Sequence, residues 1–406
     1  MTTKNKILLS AFACDPKEGS EKGNGWNWAV GLSGEGYEVH CMTRVVAKKN
    51  ILELAATSNI TFHFIKLPFG LEKLYAKSQA TMYLYYLLWQ FKAYINAKKL
   101  CKTINFKLVH HVTWGSVQLG SFMYKLPIPF IFGPAGGGQT APEAFKKYFT
   151  TGWVAEERRN KVSVFLLKFN PAAKKMYAVA RAIWVSNPDT AQLIKINGGK
   201  KVMSTLDAAL PDTFFPASFI PKKNNTNELK LLWVGRFMPR KGILLVLDVM
   251  NTLKHITGIT LTVVGDGEQK EVFLGMIEKL GLGRTVFWKG SVPFEKVKEY
   301  YNTHEAFFFT SLRDSCPAQL IEAMAYGLPI ITINLHGQSF IVNDDTGFRC
   351  KCDTSEQAIT ELHKSILELY NNPALLTQMS IAAHKFALEQ SWSKKIKTII
   401  NECYNF

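Results

Sequence analysis

No stretch of this 406-residue sequence approaches the ~18 consecutive apolar residues that a helix needs to cross a bilayer, so no spanning segment is expected. The opening run Ile7-Leu8-Leu9-Ser10 soon meets Cys14-Asp15-Pro16. It is too short and too quickly interrupted for a secretory leader, and reads as a first strand. Cysteine pairs are also lacking. The seven cysteines are scattered, and Cys350 and Cys352, the only close pair, have no His or Cys cluster beside them. Ordinary reduced thiols in a cytoplasmic protein are therefore expected, not a zinc site or a disulfide scaffold. An Asp-x-Asp metal motif is missing from every candidate strand end. Asn343-Asp344-Asp345 stands in a polar loop before Gly347 and reads as a turn. No metal or cofactor is expected.

What is present begins with charge. There are 49 Lys/Arg against 32 Asp/Glu, a net +17, and all of the excess lies in the first half. Residues 1–206 hold 28 basic and 11 acidic residues, whereas residues 207–406 hold 21 of each. Two units with different surfaces are implied, the first facing an anionic partner. Residues 73–107 contain seven lysines, eight aromatics and no acidic residue. Lysines interleaved with Trp, Tyr and Leu suit the surface of an anionic bilayer; a structural helix with a solvated basic face is the plainer alternative. A nucleic-acid-binding protein would also explain this half, but not the electroneutral, motif-rich second half.

The apolar pattern alternates strand-like and helix-like segments twice. Strands are expected at 7–12, 38–43, 60–67, 108–112, 129–132 and 182–185, with helices over 26–33 and 83–102. Pro211, Pro216, Pro221 and the run 222–227 then read as a linker. After it come strands at 229–234, 260–264, 286–288, 306–310 and 330–333, with helices between them. The expected fold is α/β: two Rossmann-like, doubly wound domains facing across a cleft.

The second half also carries chemistry. Arg236 follows a buried strand and Gly235, at the sheet end where open α/β sheets bind ligands, and Lys241 stands at the entry to the next helix. Both can hold phosphate, Arg with its fork and Lys as a point charge. Pro317 suits a helix start, leaving the amides of Ala318, Gln319 and Leu320 open to a diphosphate. Glu322, one turn on, and Asp314, in the preceding loop, can accept from hydroxyls on either side of that anion. Taken singly, each has an ordinary reading as a surface cation, a solvated helix acid or a capping acid. Taken together they describe a nucleotide sugar.

The blocks V-G-R-F-M-P-R-K-G (234–242), V-V-G-D-G-E (263–268), V-F-W-K-G-S-V-P (286–293) and D-S-C-P-A-Q-L-I-E-A-M-A-Y-G-L-P-I-I (314–331) resemble, in order, those of glycosyltransferase family 4, retaining enzymes of the GT-B fold. S-W-S-K-K-I (391–396) is similar to the segment that crosses back to the first domain in that fold. In the first half, C-D-P-K-E-G-S-E-K-G-N-G-W-N-W (14–28), H-H-V-T-W-G-S (110–116) and G-P-A-G-G-G-Q-T-A-P (133–142) resemble enzymes of bacterial cell-surface polysaccharide assembly. The resemblance implies an acceptor-side domain over 1–206 onto which 387–406 packs, a linker over 207–228, and a donor-binding domain over 229–386. It implies that Arg236 and Lys241 hold the departing diphosphate, Glu322 the ribose and Asp314, in place of the usual Glu, the sugar. Ala318 and Gln319 would face the diphosphate or sugar, Val292 the base, and Gly23 and Gly25 the donor.

The His that many members place after the fifth strand is replaced here by the glycine loop containing Gly136 and Gly137, which would face the sugar or acceptor. The catalytic-histidine role therefore does not transfer by position; His111 is the candidate, with His110 beside it, and one or both packing at the strand end is the plainer reading. The implied activity is metal-independent, retaining transfer of a hexose-type sugar from a UDP-sugar, or secondly a GDP-sugar, to a glycan or lipid-linked acceptor. The expected setting is cytoplasmic, with the inner face of the cell membrane as the surface within reach, and without nucleic acid. Two alternatives stay open: a basic protein that binds nucleic acid or another anionic polymer, and a nucleotide-sugar-binding GT-B protein without transferase activity. A dinucleotide oxidoreductase is disfavoured, since both G-x-G turns lack a third glycine.

Overall fold

The computed structural model describes residues 5–55, 59–223 and 227–405. Asn224 to Thr226, within the expected linker, and Met1 to Lys4 lie outside the described residues. The chain divides into two compact units. The first comprises 1–138, 162–209 and 392–406; the second comprises 139–161 and 210–391.

The first unit is built on a seven-stranded parallel sheet. Its strands are β1 (Lys6–Ala11), β2 (Glu38–Arg44), β3 (Ile60–Ile65), β4 (Leu108–Thr113), β5 (Phe130–Ala135), β6 (Ala182–Val185) and β7 (Val202–Ser204), in the order β3-β2-β1-β4-β5-β6-β7. Every residue of β4, β5 and β6 is buried, as expected of a parallel sheet covered on both faces. Strand alternation divides the core in two. Leu8 and Phe12 join Tyr86, Trp89 and Phe132 on one face. Ile7, Leu9 and Ala11 join Trp28, Trp392 and Ile396 on the other. The final helix, Trp392–Cys403, therefore belongs to this unit's core.

The second unit holds a six-stranded parallel sheet: β8 (Leu229–Val234), β9 (Ile259–Val264), β10 (Val286–Trp288), β11 (Ala306–Phe309), β12 (Ile330–Ile333) and β13 (Gly347–Cys350). The order is β10-β9-β8-β11-β12-β13, which reverses direction between β8 and β11. Such a reversal opens a crevice at the carboxyl ends of those two strands.

Two segments differ from the sequence reading. Residues 139–161, read with the first half, pack on the second unit, where Phe145, Tyr148, Phe149 and Trp153 join the core of Trp233, Phe237 and Leu244. The Tyr148 hydroxyl donates to Asp248 at 2.8 Å, and Gln269 Nε2 to the Tyr148 carbonyl at 2.8 Å. The described part of the Pro-rich stretch, read as a linker, belongs to the second unit from Leu210 on. Lys222 is buried, and its ammonium donates to the carbonyls of Tyr301 and Asn302 at 2.9 and 2.7 Å, at the end of a helix. Among the described residues no helix is long and apolar enough to cross a membrane.

Candidate active site

The site in the second unit is assembled from two loops at the β8/β11 crevice. After β8, glycines let the backbone close up: a Cβ at Gly265 would sit 1.8 Å from the Gly235 carbonyl oxygen. A short turn, Pro239–Lys241, ends at Gly242 with φ +67°, where a Cβ would meet the Thr310 carbonyl oxygen at 2.2 Å. The loop after β11 is stitched to this turn. Leu312 N–H donates to the Arg240 carbonyl at 2.7 Å, Ser311 Oγ to the same oxygen at 3.0 Å, and Thr310 Oγ1 to the Gly242 carbonyl at 2.9 Å. These bonds bring Lys241 and Asp314, 73 residues apart in sequence, into a direct ion pair.

Both partners are nearly buried, with side-chain exposures of 7% for Lys241 and 15% for Asp314. Burial alone would raise the Asp314 pKa, but the Lys241 and Arg240 charges outweigh it and hold the carboxyl below its usual range. Arg240 lies 3.5 Å from the same carboxylate oxygen. Lys241 is shifted down: desolvation, with Arg240 and Arg236 nearby, outweighs the attraction of Asp314. The result is a dense cationic surface for which one carboxylate is insufficient. Arg236 is exposed and has no ion-pair partner among the described residues.

The helix Ala318–Ala325 starts beside this surface. Pro317 precedes it as the cap residue, one position earlier than the sequence suggested, and its side chain caps nothing. Its carbonyl instead accepts from Leu320 N–H at 3.1 Å, which removes Leu320 from the expected donor set. The amides of Ala318 and Gln319 have no acceptor among the described residues. Glu322 is half-buried and accepts from the buried Tyr301 hydroxyl at 3.0 Å. Desolvation raises its pKa to about 7, partly offset by that bond. Val292 lies half-exposed in the loop between β10 and the helix Phe294–Thr303.

In the first unit the expected histidines do not reach a surface. His110 is fully buried, its ring nitrogens paired with the Tyr404 hydroxyl and the Gly133 carbonyl, both at 2.7 Å. His111 is also fully buried, held by Ser10 at 3.0 Å, Ser121 at 3.1 Å and Tyr86 at 3.2 Å. Desolvation lowers their pKa values to about 3 and about 4. His111 is thus enclosed in the first unit, with its ring nitrogens taken by these hydroxyls.

Gly23 and Gly25 have a local reason to be glycine. A Cβ would meet the Glu18 carbonyl oxygen at 2.5 Å and that of Ala13 at 2.0 Å. Gly136 and Gly137 are half-buried after β5. Gly136 bridges to Ser116, and the Gly137 carbonyl accepts from Thr190 Oγ1 at 2.6 Å.

Arg240, Arg313, Glu156 and Tyr301 belong to this second-unit network and were not singled out in sequence. For Arg240 and Arg313 the signal was present, since each cation directly precedes Lys241 or Asp314. Glu156 and Tyr301 come from segments with no motif.

Residues 215–386 match the family model Glycosyl transferases group 1. An uncharacterized glycosyltransferase of Haemophilus influenzae is 29% identical over 184 residues, 44% of this chain and 49% of that protein. The amylovoran biosynthesis glycosyltransferase AmsD of Erwinia amylovora is 32% identical over 138 residues, 34% of this chain and 38% of that protein. The matches thus span about half the length of these relatives or less. The lipopolysaccharide outer core galactosyltransferase WaaB in apo form superposes with a TM-score of 0.67, at 14% identity over 98% of this chain and 99% of that one. Anabaena HepE in complex with UDP gives 0.65, at 13% identity over 98% of both. The chain therefore has the GT-B fold, and its residues 215–386 match the glycosyl transferases group 1.

Proposed function

We propose that the protein is a retaining, metal-independent glycosyltransferase of family 4 that uses a nucleotide diphosphate sugar in cell-surface polysaccharide synthesis. UDP is the favoured nucleotide and GDP the second; the transferred sugar is of hexose type, and the acceptor is a glycan or lipid-linked acceptor. The observation that carries this reading is the convergence, at the β8/β11 crevice, of unpaired Arg236, the Lys241–Asp314 pair and the two open amides of Ala318 and Gln319, with Glu322 one turn further on. AmsD and the UDP-bound HepE structure support it by their described activity and ligand.

In this reading the diphosphate lies against Arg236, Lys241 and the helix amides. The bond between the anomeric carbon and the phosphate oxygen breaks, and its electron pair goes to the diphosphate. An acceptor hydroxyl oxygen forms the new bond on the same face, and its proton leaves to the departing diphosphate. Cations fixed in a partly dry site stabilise that departing charge without reorganising, typically the largest catalytic term. Glu322 accepts from the ribose hydroxyls, and Asp314 holds Lys241 in place while facing the sugar. Incubation with UDP- and GDP-sugars and a glycan acceptor panel, with the anomeric configuration of the product read by NMR, tests this. Inverted product, or none with any donor that binds, refutes it; binding without turnover selects the non-catalytic alternative.

A peripheral membrane setting is part of the same proposal. The first unit's helix Gln79–Leu100 exposes Leu84, Phe91 and Ile95, and a groove of about 540 Å³ between it and β3 is lined by His63, Lys66, Lys92, Asn96 and Lys99. Exposed apolar side chains beside lysines match an anionic bilayer surface.

A further inference from the structure

The second unit carries more positive charge around the Asp314 loop than a diphosphate needs. Among the described residues, Arg159, Arg240, Lys241 and Arg313 share two carboxylates, Glu156 and Asp314, and Arg236 pairs with none. A sugar-linked nucleotide diphosphate brings two negative charges, so an excess of cation remains after the donor is bound.

Arg313 carries part of that excess. Its Nε lies 2.7 Å from Glu156 Oε1, and beyond Glu156 its guanidinium meets no acceptor among the described residues. Arg159 shares that same Glu156 oxygen at 3.0 Å and also donates to the Gln139 carbonyl and Asn160, both at 2.6 Å. Arg240 donates to the Arg313 carbonyl at 3.1 Å and faces Asp314. A simple brace between 139–161 and the Asp314 loop would need one arginine on the buried Glu156. Two guanidinium groups on one carboxylate leave one of them poorly compensated, which is costly where both side chains are only about a quarter exposed. Crowding by burial, Arg159 and Arg240 is marked enough to lower the Arg313 pKa to about 10.

We propose that Arg313, with Arg159 and Arg240 beside it, forms a second oxyanion site next to the diphosphate site, which receives a carboxylate or phosphate carried by one of the two sugar substrates. The planar guanidinium fork, with no acceptor beyond Glu156 among the described residues, matches such a group in a bidentate manner. The inference rests on the nucleotide-sugar reading above. It narrows the substrates to a pair in which one member is acidic beyond the donor diphosphate. Two sources fit the chemistry: a uronate on the donor sugar, or a phosphate or carboxylate on the acceptor.

Calorimetric titration separates them. UDP, UDP-glucose and UDP-glucuronate, with GDP-mannose and GDP-mannuronate as the second series, are titrated into wild type and Arg313→Gln. Glycerol phosphate and glucuronate are then titrated into nucleotide-saturated protein. If the donor is acidic, the uronate binds about tenfold or more tighter than its neutral partner, the scale of one charge-assisted contact. If the acceptor is acidic, one of the free anions binds only to the nucleotide-loaded protein. In either case Arg313→Gln removes the effect while the affinity for UDP or GDP changes less than about twofold. Should Arg313→Gln be unstable, Arg313→Lys keeps the charge beside Glu156 but loses the fork, and the acidic ligand should weaken while nucleotide affinity holds. Equal binding of acidic and neutral sugars together with no free-anion binding overturns the proposal, as does discrimination that survives the substitution. Failure of wild type to bind any nucleotide refutes the nucleotide-sugar reading itself, and this inference falls with it.

Discussion

At the scale of single residues, Lys241, Asp314 and Glu322 show how burial changes what a charge can do. Removing the Asp314 carboxylate leaves Lys241 buried without its partner, a change that typically costs about 3–5 kcal/mol. Asp314→Asn should therefore lower the melting temperature more than Arg236→Ala, which removes an exposed, unpaired cation. Arg236→Ala should instead cut transfer by about two to three orders of magnitude, the usual loss for one preorganised donor, with an unchanged circular dichroism spectrum. Near-normal turnover would exclude Arg236 from the site.

Glu322 gives a pH prediction. Its pKa is raised to about 7 in the folded protein, so between the unfolded value of about 4.5 and 7 the native state binds more protons than the unfolded one. Its ionisation thus erodes stability as pH rises through that window, while supplying the acceptor that the proposed ribose contact calls for. Nucleotide affinity should rise by up to about tenfold from pH 6 to pH 8, and this slope should be flat in Glu322→Gln. Thermal melts should show wild type gaining on Glu322→Gln as pH is lowered.

At the scale of elements, the sequence was informative wherever the local rule and the tertiary demand agreed. Strands 229–234 and 330–333 were legible to the residue because buried parallel strands are short apolar runs bounded by turn residues, and the edge strand 286–288 showed the same apolar run. That Arg236, Lys241, Asp314 and Glu322 stand beside strand ends and a helix start was legible from the glycine and proline next to them. His111 stayed ambiguous because a strand-end histidine looks the same in sequence whether it faces a crevice or is enclosed; its partners Ser10, Tyr86 and Ser121 come from three other segments. The segment 139–161 misled because nothing local distinguishes which core Phe145 and Phe149 enter. Phe149→Ala should cost about 3–5 kcal/mol. Hydrogen exchange should show the loss of protection around Phe237 and Leu244 of the second unit, whereas loss confined to β4 and β5 would contradict the placement. Gly25→Ala, which puts a methyl group 2.0 Å from a backbone oxygen, should destabilise the first unit without any ligand being involved.

At the scale of the whole molecule, the two halves of the chain differ in charge. The second half is electroneutral, and the crevice proposed for the nucleotide is built from its own loops. The first half carries the whole +17 and exposes Phe91, Phe165 and Phe169 among lysines. Sedimentation with vesicles should show binding when anionic phospholipid is included and release at high salt, because exposed charges are screened beyond roughly 8 Å at physiological ionic strength. Phe91→Ser combined with Lys92→Glu and Lys99→Glu should weaken it while nucleotide affinity holds. Equal affinity for neutral vesicles would remove the electrostatic argument.

The central claim is that the β8/β11 crevice of the second unit holds a nucleotide diphosphate sugar, and nucleotide titration tests it most directly. Stabilisation by a ligand follows RT ln(1 + [L]/Kd), so a thermal-shift series with UDP, GDP and their sugars, followed by calorimetry on the strongest, ranks the donors in one experiment. The prediction is one-to-one binding by wild type that weakens at least about tenfold in both Arg236→Ala and Glu322→Gln. No shift with any nucleotide, or binding indifferent to both substitutions, would contradict it.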